Sequence, residues 1–194
     1  MRVYVKTPSR LHLALIDLNG DLGRVDGSMG LALDYPNTIL EASRSRKLEV
    51  FGEQANFVED LARRFLQRMR IKGAVTISIR KLIPAHVGLG SGTQLSLAVA
   101  SALPCIFRIQ KTTREMAEIV GRGGTSGIGV MAFEEGGSSW MQVTVLETGK
   151  SNSLSFRQAR AERPASSHCE IRCSSGLEIC SSRPKCSTRG TRVG

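Results

Sequence analysis

With 194 residues and 27 Lys and Arg against 17 Asp and Glu, a formal charge of +10, the chain has room for one domain with a fair core, or one domain and a fragment. Its most apolar run, Leu95–Leu103, is far too short to span a bilayer. Only Cys105 precedes residue 169, which fits a reducing, cytoplasmic setting and not a disulfide framework.

In chain order, Val3–Pro8 alternates and predicts a strand ending at the proline. Ser9–Ile16 predicts a second strand, with Leu11, Leu13 and Leu15 on one face and His12 opposite them. His12 reads equally well as a satisfied structural histidine or a ligand contact. Asp17, Asp21, Arg24 and Asp26 then crowd one glycine-rich loop, which can bring carboxylates and a guanidinium to a charged substrate. The plainer reading is a solvated hairpin loop.

Asn56–Met69 places Phe57, Val58, Leu61, Phe65, Leu66 and Met69 at helical spacing. Its Arg63, Arg64 and Arg68, with Arg70 beyond, read as a solvated face, because no aromatic residues interleave as a nucleic-acid surface would require. Ala74–Arg80 predicts a strand. Thr113–Val120 predicts a helix capped by Thr112 or Thr113.

Between these lies Leu82–Leu103. Gly88, Gly90 and Gly92 precede a helix starting near Thr93 and apolar on nearly every face, hence buried. Glycines let a backbone approach a ligand, and the following helix offers unpaired N–H groups and the positive end of its dipole. That combination seats anions, most often phosphate. No Lys follows, so it is not a Walker A loop, and the third glycine is misplaced for a dinucleotide fingerprint. A tight glycine turn with a helix cap is the bland alternative.

Pro84-x-x-x-Gly88-Leu89-Gly90-Ser91-Gly92-Thr93 resembles the Pro-x-x-x-Gly-Leu-Gly-Ser-Ser-Ala motif of the GHMP kinase superfamily. Thr7-Pro-Ser-Arg-Leu-His-Leu13, Gly23-Arg-Val-Asp-Gly27 and Gly30-Leu-Ala-Leu33 are similar to its β-ribofuranosylaminobenzene 5′-phosphate synthase branch, over Met1–Gly137. The resemblance implies an α+β fold of the GHMP N-terminal type, lacking the C-terminal domain. It implies condensation of a para-substituted benzoate with 5-phosphoribosyl diphosphate, losing CO₂ and diphosphate, in methanopterin biosynthesis, with Mg²⁺ as the suspected cofactor. Gly88, Leu89, Gly90, Ser91, Gly92, Thr93 and Gln94 would hold phosphate. Asp17 and Asp26 would contact a cation or the ribose, and Arg24 an anion. Arg10, His12, Thr125 and Ser126 are further substrate-binding candidates. The partners expected are small-molecule substrates, without membrane or nucleic acid; a homodimer is left open.

Thr125-Ser-Gly-Ile-Gly129 puts glycine where the superfamily's Pro-Ser-Gly-Ile-Asp carries the base proposed to activate an acceptor hydroxyl. A kinase needs such a group within hydrogen-bond reach, so Gly129 favours the synthase branch. An ATP-using small-molecule kinase is the alternative; a non-enzymatic basic binding module is another. The stretch Gly123–Gly129 also reads simply as a turn between helices.

After Gly137 the pattern fails. Residues 151–194 hold ten Ser, seven Arg and four of the five Cys, with one Lys and three Glu, a charge of +5. Half of the chain's positive charge thus lies in this segment and says little about partners. The spacing of Cys169, Cys173, Cys180 and Cys186 lacks a C-x₂-C pair, which disfavours zinc. Translation out of frame accounts best for Ser138–Gly194. Shifted codons under Ser138–Val145 permit Phe-Ile-Val-Asp-Ala-Gly-His-Ser, and those under Cys169–Ser181 permit Ala-Arg-Phe-Asp-Val-Pro-Gln-Asp-Trp, both resembling the branch. The expectation is a folded Met1–Gly137, an unstructured tail and an inactive product, since sparse apolar residues cannot offset an ordering cost of roughly 1–2 kcal/mol per residue.

Overall fold

A computed structural model describes residues 1–16, 27–122, 127–142, 157–158 and 169–173. Its spine is a hairpin of two long strands, β1 (Arg2–Ile16) and β2 (Gly27–Ser45), antiparallel from Arg2↔Ser43 to Ile16↔Gly27. The two strands expected before residue 17 are therefore one. Pro8 does not end β1 because it falls at a register shift between Thr7 and Ser9, where a missing N–H costs no ladder bond.

β2 changes partners at its middle. Ile39–Ser45 pairs with β4 (Ala74–Lys81), and Ser28–Leu31 pairs with β5 (Ser138–Gln142). The switch falls around Asp34–Asn37, where Pro36 has no N–H to donate and Asn37 Nδ2 donates to Asp34 O at 3.0 Å. The short β3 (Glu49–Phe51) runs parallel to β4, and helix α1 (Ala55–Arg68) makes the crossover between them. β6 (Arg157–Gln158) pairs with β5, and β7 (Glu170–Cys173) adds to β1, giving the path β3-β4-β2-β1-β7.

One face of the sheet is covered by helices. Val3, Val5, Leu40, Ala42, Val75, Ile77 and Ile79 alternate inward along their strands and are buried, as a half-buried sheet requires. Against them packs α2 (Ser91–Phe107), buried without interruption from Gln94 to Ile106. It touches β1, β2, α1, α3 (Thr113–Ile119) and α4 (Ile128–Glu134), so the all-round apolar pattern is that of a central helix. The leucine face of β1 is the outer one. Leu11 and Leu13 are exposed, and His12 lies on the partly covered inner side.

α1 exposes its arginines as expected. Arg63 pairs with Glu59 and Arg64 with Asp60 one turn back, while Arg68 reaches Ile119 O at 3.5 Å. α3 is capped by Thr112, whose hydroxyl accepts from Glu115 N while the Glu115 carboxylate accepts from Thr112 N, a reciprocal box. The hydrogen bond from the Lys111 ammonium, and then these capping bonds, pull the Glu115 carboxyl down to about 2.

Beyond Gly137, the described residues are those of β5, β6 and β7, with Cys169 just before β7. Ile171 and Cys169 are buried against the core, and Cys169 N donates to Phe133 O at 3.3 Å. Two buried apolar positions and four rungs to β1 suffice to fix so short a strand. Cys105 on α2 hydrogen-bonds Cys173 and lowers its thiol to about 7. The rest of Ser138–Gly194 lies outside the described residues.

Candidate active site

The glycine-rich loop is built between β4 and α2. Arg10 N donates to Leu89 O at 3.0 Å, pinning the loop to the middle of β1. Gly88 (φ 78°) and Gly90 (φ 75°) adopt the left-handed conformation that L side chains rarely take. Gly90 is the N-cap of α2, and no side chain caps that end. The first helical bond runs from Gln94 N to Gly90 O at 3.0 Å. The amides of Ser91, Gly92 and Thr93 thus stand ahead of the helical ladder, at the positive end of a 17-residue helix with no acidic residue in its first turn. The helix begins two residues earlier than its apolar pattern indicates, which places Ser91 and Gly92 in the first turn.

Two arginines close on this loop. A Cβ at Gly90 would come within 2.9 Å of Arg10 Cγ and 3.0 Å of its Nε. The Arg10 guanidinium is half-buried, its Nε has no acceptor among the described residues, and burial lowers its pKa from the ordinary value. On the other side, Arg122 Nη2 lies 3.6 Å from where a Gly92 Cβ would be, and its Nε donates to Ser96 Oγ at 3.4 Å. Leaving a buried donor without a partner costs free energy, more so when it is charged. The loop therefore presents free amides and cationic donors, a set complementary to a multiply charged anion.

Gly129 explains the missing base. It sits in the first turn of α4, and its O accepts from Gln94 Nε2 at 2.8 Å, tying α4 to the start of α2. A Cβ there would lie 2.8 Å from Thr93 Cγ2. The motif that the loop resembles has Ala at the position of Thr93 and Asp at that of Gly129. Here the larger Thr93 occupies the space that the first carbon of such an Asp would need.

The structure brings Gly88–Gln94, Arg10 and Gly129 together around the helix start. His12 lies two residues beyond Arg10 on β1, with Nε2 buried and unpartnered among the described residues. Asp17, Asp21, Arg24, Asp26, Thr125 and Ser126 lie outside the described residues. The pair Ile16↔Gly27 holds the two ends of the first of these segments side by side. Sequence reasoning missed Arg122; the signal that could have found it is the Gly121-Arg122 step that ends α3. Among the described residues no group of three or more His, Cys, Asp or Glu gathers to hold a metal, and no helix is long and apolar enough to cross a membrane.

A strand hairpin backed by a buried helix, with a glycine loop at that helix's N-terminus, defines an α+β domain of the GHMP N-terminal type. Residues 56–137 match the family described as GHMP kinases N terminal domain, so this stretch of the chain is similar to the N-terminal domain of that superfamily. It is 48% identical over 134 residues to the β-ribofuranosylphenol 5′-phosphate synthase of Archaeoglobus fulgidus, covering 69% of this chain and 42% of that protein. It is 45% identical over 147 residues to the synthase of the same name from Methanothermobacter thermautotrophicus, covering 71% and 45%. The chain thus spans less than half the length of these relatives. Among solved structures, the galactokinase of Lactococcus lactis in complex with galactose superposes with a TM-score of 0.59 at 16% identity, over 83% of this chain and 47% of that one; at that identity the likeness is one of fold alone.

Proposed function

We propose that Met1–Gly137 handles the diphosphate in a β-ribofuranosylphenol (or aminobenzene) 5′-phosphate synthase reaction, by which a para-substituted benzoate condenses with 5-phosphoribosyl diphosphate for methanopterin biosynthesis. The anomeric C–O bond breaks and diphosphate leaves with the electron pair. The ring carbon bearing the carboxylate bonds to the anomeric carbon. The bond to the carboxylate then breaks, returns its pair to the ring and releases CO₂.

No hydroxyl proton has to be removed, so the reaction needs no base at residue 129. The Thr93–Gly129 packing is the observation that carries this reading against a kinase. What the reaction does need is stabilisation of charge building on the leaving diphosphate. Preorganised donors do this best, and the amides of Ser91–Thr93, the α2 dipole and the Arg10 guanidinium are such donors.

Asp17 and Asp26 as cation or ribose contacts, Arg24 as an anion contact, and His12, Thr125 and Ser126 as substrate contacts belong to the same proposal. The described rim of the loop carries guanidinium groups and no carboxylate, which does not fit a bare Mg²⁺; no step here passes through the metal. The domain boundary at Gly137, with out-of-frame translation beyond it, is likewise proposed. It is supported by the family match, which ends at residue 137, and the DNA sequence across that point decides it.

The test of the chemistry uses carboxyl-labelled 4-hydroxybenzoate with phosphoribosyl diphosphate, on the frame-restored protein beside the 194-residue chain. Equimolar CO₂ and diphosphate are expected from the former and none from the latter. Acceptor-dependent ADP release from ATP, without CO₂, would replace this reading with the kinase one.

A further inference from the structure

Arg122 is held more firmly than a surface arginine. α3 ends in a Schellman arrangement, with Gly121 (φ 68°) donating to Glu118 O at 3.2 Å and Arg122 N donating to Ala117 O at 2.8 Å. This fixes the Arg122 backbone opposite the first turns of α2. There Ser96 Oγ donates to Gly92 O at 2.7 Å and accepts from Arg122 Nε, so one hydroxyl links the arginine to the loop. Nη2 of the guanidinium lies toward Gly92, and Arg122 has no carboxylate partner among the described residues. The bare Gly92 leaves that side of the loop open.

A structural arginine spends its fork on a carboxylate or on carbonyls at a helix end. Arg122 spends one of five donors on a hydroxyl, at 3.4 Å. We propose that Arg122 is a specificity-determining residue: it clamps the diphosphate of the substrate over Gly92, opposite Arg10 at Gly90. The inference rests on the loop being a diphosphate seat, as argued above, and adds the group that selects diphosphate over a single phosphate. Two guanidinium groups flanking one run of three amides match an anion with two phosphoryl units, each able to accept a forked pair of hydrogen bonds.

The test is calorimetric titration of the full chain with inorganic diphosphate and, separately, inorganic phosphate. Arg122→Gln should weaken diphosphate at least tenfold and phosphate by less than threefold. Arg122→Lys, which keeps the charge but not the fork, should fall between. Diphosphate binding within twofold of the parent in a folded Arg122→Gln chain overturns the proposal. Should that variant fail to fold, the unmodified chain decides. Phenylglyoxal modification at Arg122, mapped by mass spectrometry, should slow when diphosphate occupies the site, and an unchanged rate overturns the clamp. Competition by phosphoribosyl diphosphate and by ATP separates a sugar from a nucleotide source of the same group. A frame-restored protein that binds diphosphate through Arg122 but releases no CO₂ sinks the synthase reading and leaves the clamp standing. CO₂ release with an unmoved KM for phosphoribosyl diphosphate in Arg122→Gln does the reverse.

Discussion

Two sets of arginines in this molecule look alike in sequence and differ in physics. On α1, Arg63 and Arg64 stand in water beside Glu59 and Asp60 at i,i+4 spacing. At the glycine loop, Arg10 and Arg122 are half-buried, without carboxylate partners among the described residues, and laid against glycine backbone. The first set outlines a solvated helix face. The second has donors to spare where free amides gather. Charge density along a chain therefore says less about a site than whether each charge is already answered.

The largest effect expected is at Gly90. Valine there must hold a left-handed φ, which costs roughly 1–2 kcal/mol, and its Cβ would strike the Arg10 side chain. Diphosphate affinity should fall more than tenfold by calorimetry, and unchanged affinity would detach the glycines from the anion site.

Next comes Gly129→Ala. Its Cβ would meet Thr93 Cγ2 at 2.8 Å, an overpacking worth about 1–3 kcal/mol, offset by the gain of about 1 kcal/mol for Ala over Gly in a helix. A net loss is expected in urea denaturation. In a Thr93→Ala background the same substitution should become neutral or stabilising. A purely additive double-mutant cycle would show that the two residues do not share that space.

Thr112→Ala removes the α3 cap and should cost about 1 kcal/mol. The Glu115 carboxyl, held down to about 2, gives this cap a pH signature. Because its folded pKa lies below the ordinary carboxylate value of 4.5, its stabilisation is present above about pH 4.5 and is lost as pH falls toward 2. The gap in melting temperature between the parent and Thr112→Ala should therefore narrow, without closing, from pH 6 to pH 3, because the Lys111 contribution is common to both.

Smallest is the change at the solvated set. Arg63→Ala with Arg64→Ala should shift stability by no more than about 1 kcal/mol in total and leave diphosphate binding untouched. A loss of binding there would erase the contrast between the two sets.

What the sequence disclosed followed from strong local signals. The buried helix Gln94–Ile106, the amphipathic α1, the strand at Ala74 and the Thr112 cap all carry period or capping chemistry within a few residues. β1 was split in two because Pro8 reads as a stop unless the register shift it sits in is known. The length of β2 and the existence of β3 were hidden because their pairing partners lie far along the chain. β7 was hidden for the same reason: four residues carry no period, and only Val3–Lys6 gives them a ladder. At the site, the glycine loop was legible as a motif. The Thr93–Gly129 contact joins residues 36 apart, and the approach of Arg122 depends on how α3 ends. Both are products of packing.

The most direct test of the contrast is a proton–nitrogen correlation spectrum of the 194-residue chain, titrated with inorganic diphosphate. The amides of Ser91, Gly92 and Thr93 and the Nε–H of Arg10 should shift together and saturably, while the amides around Arg63 and Arg64 stay still. Diphosphate shifts confined to the α1 face, with the loop amides unmoved, would contradict the assignment of the anion seat to the start of α2.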